Sequence, residues 1–262
     1  MINVLCIGDV VGSAGRQTLE GLLPGLKKEF ELDFVITNGE NSAGGAGITS
    51  RIANQLFNLG ADVLTTGDHV WDKSEIIPYL METENILRPA NFPKETPGRG
   101  WCIRKTSKGV KIGVINLLGR TFMRYNVECP FRTLQALSDE IRKETPVIIV
   151  DMHAEATSEK IALGHFSDGK VSAVVGTHTH VQTADEKIFP QGTAFITDMG
   201  MTGPYNSVIG QNKEKIIERF LTCLPKKFEV AEEDRQLHGV VLYIEEETGR
   251  TQKIIRIQRS FP

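Results

Sequence analysis

Apolar residues fall along this chain in short runs, each closed by a glycine or a polar residue, with stretches of helical periodicity between the runs. Runs at residues 3–7, 34–37, 63–66, 111–116, 147–151, 171–175, 193–197, 239–245 and 253–257 predict β-strands. Between them, Leu19, Leu22, Leu23 and Leu26 make one helical stripe, which Pro24 should perturb. Ile52, Leu56 and Leu59 make a second, Leu134, Leu137 and Ile141 a third, and Ile216, Ile217, Phe220 and Leu221 a fourth. Strands alternating with helices predict an α/β fold, and this many strands would suit two packed sheets between helices. The last two strands flank Glu247-Thr248-Gly249-Arg250 and read as an antiparallel hairpin, with the Glu245–Glu247 run solvated at its turn. The stretch 88–100, with Pro89, Pro93, Pro97 and Gly98, reads as a long loop and a candidate substrate-side lid.

Composition narrows the function classes. The 262 residues show no linker, repeat or low-complexity tract, so one domain over 1–262 is expected. A net charge of −3 argues against a binder of long nucleic acid that relies on global charge. No apolar run approaches the roughly 20 residues that span a bilayer, and the N-terminus lacks a basic leader. A cytoplasmic protein with no membrane partner is therefore expected. Cys6, Cys102, Cys129 and Cys223 are scattered, which fits free thiols better than a disulfide framework or a structural zinc site.

The candidate chemistry sits where strands end. Asp9 follows the first strand, Glu40-Asn41 the second and Asp68-His69 the third; His153 and then His178-Thr179-His180 follow two later ones. Carboxyl ends of strands are where α/β sheets assemble ligand sites, so these groups could converge in one crevice. Each alone has a plainer reading as a cap or turn residue. Together they form a mixed oxygen and nitrogen donor set that suits Mn, Fe or Zn better than Ca or Mg. The donors suffice for two ions bridged by Glu40, and such a centre can clamp the attacking and leaving oxygens of a phosphoryl transfer.

Longer blocks carry a resemblance. Gly8-Asp9-Val10-Val11-Gly12, Asn38-Gly39-Glu40-Asn41, Gly67-Asp68-His69-Val70-Trp71-Asp72, the block from Asp151 to Lys160 and the block from Val175 to Asp185 resemble the calcineurin-like metallophosphoesterases. More narrowly, they are similar to the YmdB-type branch, described as 2′,3′-cyclic-nucleotide 2′-phosphodiesterases; Arg88 to Pro93 and Asp198 to Tyr205 extend the likeness. The resemblance implies a four-layer sandwich, two β-sheets flanked by α-helices. It implies one metal on Asp9, Glu40, Asn41 and His180, and a second on Glu40, Asp68, His153 and His178. The two ions would be divalent or trivalent, iron or manganese. A bridging hydroxide would attack in line, His69 would protonate the leaving group, and 3′,5′-cyclic AMP would be a further substrate. A homo-oligomer is also expected. The alternatives are a broader phosphatase or nuclease, or a metal-binding regulatory protein with little turnover.

One position departs from the pattern: Asp68 stands where the family usually has Asn. Its added charge should hold a metal more tightly and raise the His69 pKa. Asn91 and Thr202, in segments read as irregular, are candidate substrate contacts. Asp72 either orients His69 or caps a helix before Lys73-Ser74-Glu75. Trp71 reads as a packing residue, and His165 and His238 as structural or exposed. Gly8, Gly12 and Gly15 lack dinucleotide-binding spacing.

Overall fold

The protein is described by a computed structural model covering residues 1–261. In chain order its elements are β1 (Ile2–Ile7), β2 (Asp9–Val10), α1 (Gly12–Glu29), β3 (Phe34–Asn38), α2 (Ser50–Leu59), β4 (Val63–Thr65), α3 (Ile76–Glu82), β5 (Ile86–Leu87), β6 (Trp101–Lys105) and β7 (Lys111–Leu118). Then follow α4 (Pro130–Ile141), β8 (Ile148–His153), α5 (Thr157–Ser167), β9 (Ala173–Thr177), β10 (Lys187–Ile188), β11 (Ala194–Ile196), β12 (Met201–Pro204), α6 (Lys213–Thr222), β13 (Arg235–Ile244) and β14 (Thr251–Phe261).

Two sheets result. The first runs β2-β12-β13-β1-β3-β4-β5, with β14 also on β13. One edge of β13 takes β14 along its length, and the other is shared by β12 near Arg235–Leu237 and by β1 from Gly239 onward. The second runs β10-β11-β9-β8-β7-β6. Side-chain alternation divides the interior into three apolar layers. Leu5 and Ile7 face Leu19, Leu23 and Leu56 of α1 and α2. Their neighbours Val4 and Cys6 point the other way, into the seam with Val114, Ile149 and Val175 of the second sheet. Leu117, Val150 and Met152 meet Leu134 of α4 and Leu163 of α5 on the far side. Helices, sheet, sheet, helices: this is the four-layer α/β sandwich that the resemblance implied.

Three expectations need correction. Pro24 does not interrupt α1, because it lies on the exposed face. In α6 only Ile216 is buried, while Phe220 and Leu221 are each 80% exposed, so this stripe covers no core. The 88–100 loop is not free: the Arg88 guanidinium donates to the carbonyls of Pro89, Thr96 and Pro97. It is braced internally and tied to the body by Ala90 N donating to Asn116 O and Asn91 Nδ2 donating to Leu118 O. No helix among the described residues is long and apolar enough to cross a membrane.

Candidate metal centre

Strand order explains why distant residues meet. Asp9 opens β2, paired to Met201 of β12; Glu40 and Asn41 follow β3, and Asp68 and His69 follow β4. His153 closes β8 and the 178–180 segment follows β9, in the other sheet. The carboxyl ends of parallel strands from both sheets therefore face one crevice. Gly67 is required there, because a Cβ would land on the His153 ring and Glu40 Oε2. Gly176 is required too, because a Cβ would strike the Thr197 carbonyl.

Four groups form a tight quartet. His153 Nε2 lies 3.0 Å from Glu40 Oε1, 3.3 Å from Asp68 Oδ1 and 3.0 Å from His178 Nδ1. His178 Nδ1 and Asp68 Oδ1 are 3.5 Å apart. One donor atom from each residue falls within 4.8 Å of all the others. Donors about 2.1 Å from one ion in a tetrahedral shell stand roughly 3.4 Å apart, so the quartet has a suitable size. Asp9, Asn41 and His180 flank it. Asp9 Oδ1 is buried without a hydrogen-bond partner, 3.9 Å from His153 Nδ1. Asn41 Nδ2 lies 3.0 Å from His180 Nε2 and 3.4 Å from Glu40 Oε1. Turning the Asn41 amide over would offer its oxygen instead.

Each of the three histidines has its far nitrogen engaged. Thr177 Oγ1 donates its proton to Asp151 Oδ1 across 2.6 Å and accepts from His153 Nδ1 at 2.9 Å. Ile209 O accepts from His180 Nδ1 at 2.9 Å, and Glu155 Oε2 sits 3.2 Å from His178 Nε2. With the proton held there, His153 Nε2, His180 Nε2 and His178 Nδ1 present bare lone pairs to the crevice, as metal ligation needs. The donor set therefore fits a metal.

The 177–180 segment is strained and braced. His178 (φ 101°) and His180 (φ 65°) are both left-handed, a conformation costing about 1–3 kcal/mol per non-glycine residue. Asp198 accepts from Thr179 N and Oγ1 at 3.1 and 2.8 Å, and Asp9 Oδ2 accepts from His178 N at 3.2 Å. Lys160, 1% exposed, donates to Asp198 Oδ2 at 2.8 Å and to Thr177 O at 2.6 Å.

Charge at the site is unbalanced toward negative. Burial pushes the Asp9 carboxyl up to about 7, helped by Glu40, Asp198 and Asp151 and opposed by His153. Burial also raises Glu40, but His153 outweighs it and the net shift is down. Asp68 falls well below the usual carboxylate range: burial opposes the shift, and hydrogen bonds to His153 and His178 prevail. His153 moves well above its ordinary value despite burial, because Glu40, Asp68 and Asp9 surround it. That upward shift competes with the neutral tautomer set by Thr177. Both follow from one field, which draws a cation to Nε2, either a proton or a metal.

His69 stands beside the quartet. Its backbone N–H donates to Glu40 Oε2 at 3.2 Å and its ring Nδ1 meets Asp72 Oδ2 at 2.8 Å. The other Asp72 oxygen accepts from Arg124 Nη1 at 2.7 Å. Asp72 therefore orients His69. It caps no helix, since α3 starts at Ile76 with Glu75 at its cap. Burial would lower the His69 pKa, but Glu40, Asp72 and Asp68 raise it.

A model of the YmdB-like protein family matches residues 5–257. The chain belongs to that family. Over 256 residues it is 51% identical to the 2′,3′-cyclic-nucleotide 2′-phosphodiesterase of Bacillus subtilis strain 168, covering 98% of this chain and 96% of that one. Two crystal structures superpose with a TM-score of 0.92. A protein from Thermus thermophilus is 39% identical with full coverage of both chains. A Mycoplasma pneumoniae phosphatase is 35% identical, covering 99% of this chain and 93% of that one. In this YmdB-like chain Asn91 and Thr202 are buried. Asn91 uses its whole amide on the backbone of Leu118 and Glu128, and Thr202 faces the His238 carbonyl. Neither offers a free group to a substrate. Trp71 packs edge-on against Phe92, His165 is exposed on α5, and His238 is buried against Tyr205.

The supporting roles of Glu155, Lys160, Asp198 and Arg124 emerge only from the structure. The first three lie inside the blocks that carry the resemblance, which is the signal the sequence offers for them; Arg124 lies in none.

Proposed function

We propose that this YmdB-like protein is a metal-dependent phosphodiesterase that opens 2′,3′-cyclic nucleotides to 3′-nucleotides, with 3′,5′-cyclic AMP as a further substrate. The observation carrying this reading is the Glu40, Asp68, His153 and His178 quartet, with His69 fixed beside it but outside it. The name of the Bacillus subtilis relative supports the choice of substrate. The quartet would hold one ion; Asp9, Glu40, Asn41 and His180 would hold the other, so that Glu40 is shared.

Iron or manganese bound there would neutralise the phosphoryl oxygens and supply the nucleophilic water. The remaining work falls to the chain. The bond from phosphorus to the incoming oxygen forms opposite the 2′ oxygen, and the bond to the 2′ oxygen breaks. His69, with Nδ1 held by Asp72, gives the Nε2 proton to the departing alkoxide. Asp72 and Arg124 fix that ring, and the carboxylates that raise the His69 pKa favour its acid form.

The reading extends to a cytoplasmic homo-oligomer with a small phosphodiester as its partner. The exposed apolar residues of α6 support self-association. The test is metal-quantified protein assayed on 2′,3′-cAMP, 3′,5′-cAMP and bis-p-nitrophenyl phosphate beside His69→Ala. Hydrolysis of 2′,3′-cAMP that needs metal and falls by about two orders of magnitude in His69→Ala is expected. Turnover of bis-p-nitrophenyl phosphate alone would leave only a generic phosphoesterase.

A further inference from the structure

The segment after β7 is tied down residue by residue. Gly119 N donates to the His153 carbonyl at 2.9 Å. Glu159 accepts from Arg120 N at 3.0 Å and from Thr121 N at 3.1 Å. Met123 Sδ accepts from Glu155 N at 3.2 Å, and Glu155 is the residue that holds His178. Arg124 grips Asp72, which holds His69. Tyr125 packs edge-on against Phe92 with ring centres 5.3 Å apart. From Gly119 to Tyr125 only Phe122 has no recorded hydrogen bond or ring contact among the described residues.

Phe122 is instead presented outward. It is 87% exposed and left-handed (φ 62°), a backbone region that bulky residues avoid. Exposure of a phenyl ring and a strained backbone both disfavour this arrangement, yet the flanking anchors enforce it. Those anchors run to the supports of His178 on one side and His69 on the other. Phe122 is thus carried on a fixed base whose neighbours, Met123 and Arg124, reach the supports of the metal centre.

We propose that Phe122 is the stacking platform for the nucleobase of the substrate, and so a specificity-determining residue. The proposal rests on the cyclic-nucleotide reading above. Every base offers a π-face, so one phenyl ring selects for nucleotides over base-free phosphodiesters without selecting among bases. Trp71 and Tyr125, the neighbouring aromatics, both pack edge-on against Phe92 and are not free for this role.

The test uses the full-length, metal-loaded protein. Phe122→Asn removes the ring with a residue that accepts the left-handed backbone, and Phe122→Trp restores an aromatic face. Turnover of 2′,3′-cAMP is compared with that of methyl riboside 2′,3′-cyclic phosphate, which has no base. Equilibrium binding of 3′-AMP is followed separately by the loss of adenine absorbance on stacking. The expected result is that Phe122→Asn lowers the preference for 2′,3′-cAMP roughly ten-fold, mostly through KM, and abolishes the absorbance change. Phe122→Trp should restore both. Equal losses on the two substrates, no loss on either, or a changed oligomeric state in Phe122→Asn would overturn the proposal. If wild-type protein stacks 3′-AMP through Phe122 but hydrolyses neither cyclic phosphate, the platform stands and the proposed activity falls. If both substrates are hydrolysed with no dependence on Phe122, the activity stands and the platform falls.

Discussion

His69 Nδ1 and Asp72 Oδ2 are 2.8 Å apart, and that contact settles which ring nitrogen remains for chemistry. Nδ1–H is spent on the carboxylate, so Nε2 is the atom that can pass a proton. Asp72→Asn should therefore lower kcat roughly 10- to 100-fold with KM little changed. Arg124→Met, which releases only the far side of Asp72, should cost less. Steady-state kinetics on both variants check the order.

The pH profile tests Asp68. A carboxylate there helps hold the His69 pKa up, and in the proposed role His69 would act in its protonated form, so activity should be lost as pH rises through that pKa. Asp68→Asn removes the charge, lowers the His69 pKa and should move the alkaline limb to lower pH. An alkaline limb that does not move in Asp68→Asn would separate Asp68 from the acid.

Lys160 and Asp198 form a buried ion pair under the strained histidines. Lys160→Met leaves Asp198 buried and unpaired, which typically costs about 3–5 kcal/mol. A lower Tm should come with weaker metal retention, because the Lys160 bonds that tie Thr177 O to Asp198 under the 177–180 segment would be lost. Calorimetry and elemental analysis on one preparation check both.

Glu40 is the group shared between the two proposed ions. Glu40→Gln should reduce bound metal below one ion per chain in elemental analysis. His180→Ala should spare the quartet and lose mainly the other ion. Equal losses in the two variants would argue against a shared ligand.

His238 predicts acid sensitivity away from the centre. Burial lowers its pKa to about 4, so the folded protein keeps it neutral against Tyr205. The unfolded chain takes up a proton first, so this contribution is full above about pH 6.5 and is lost as pH falls toward 4. His238→Gln should flatten that part of the stability profile, as urea midpoints at several pH values would show.

Legibility from sequence followed the length and chemistry of each element. β1, β3, β7, β8 and β13 read clearly because their apolar runs are long. β2, β5 and β10 have two residues each and carry no pattern at all. α5 was invisible as a stripe because its buried face is Lys160, Leu163, Gly164 and Ser167. α6 misled for the opposite reason: its apolar stripe faces solvent. The ligand candidates were visible because they follow strand ends, and the quartet among them does meet. Asn91 failed as a substrate contact because an amide in an irregular segment is as useful to the backbone as to a ligand.

The strand carrying Asp9 is attached to the first sheet through β12, which in turn rests on β13. His180 is likewise held from Ile209. A chain made from its N-terminus thus produces its first acidic group early, yet that group gains its framework only when residues 201–244 have emerged. The full donor set therefore closes only after these later elements have joined the sheet, so a metal would be captured late in folding.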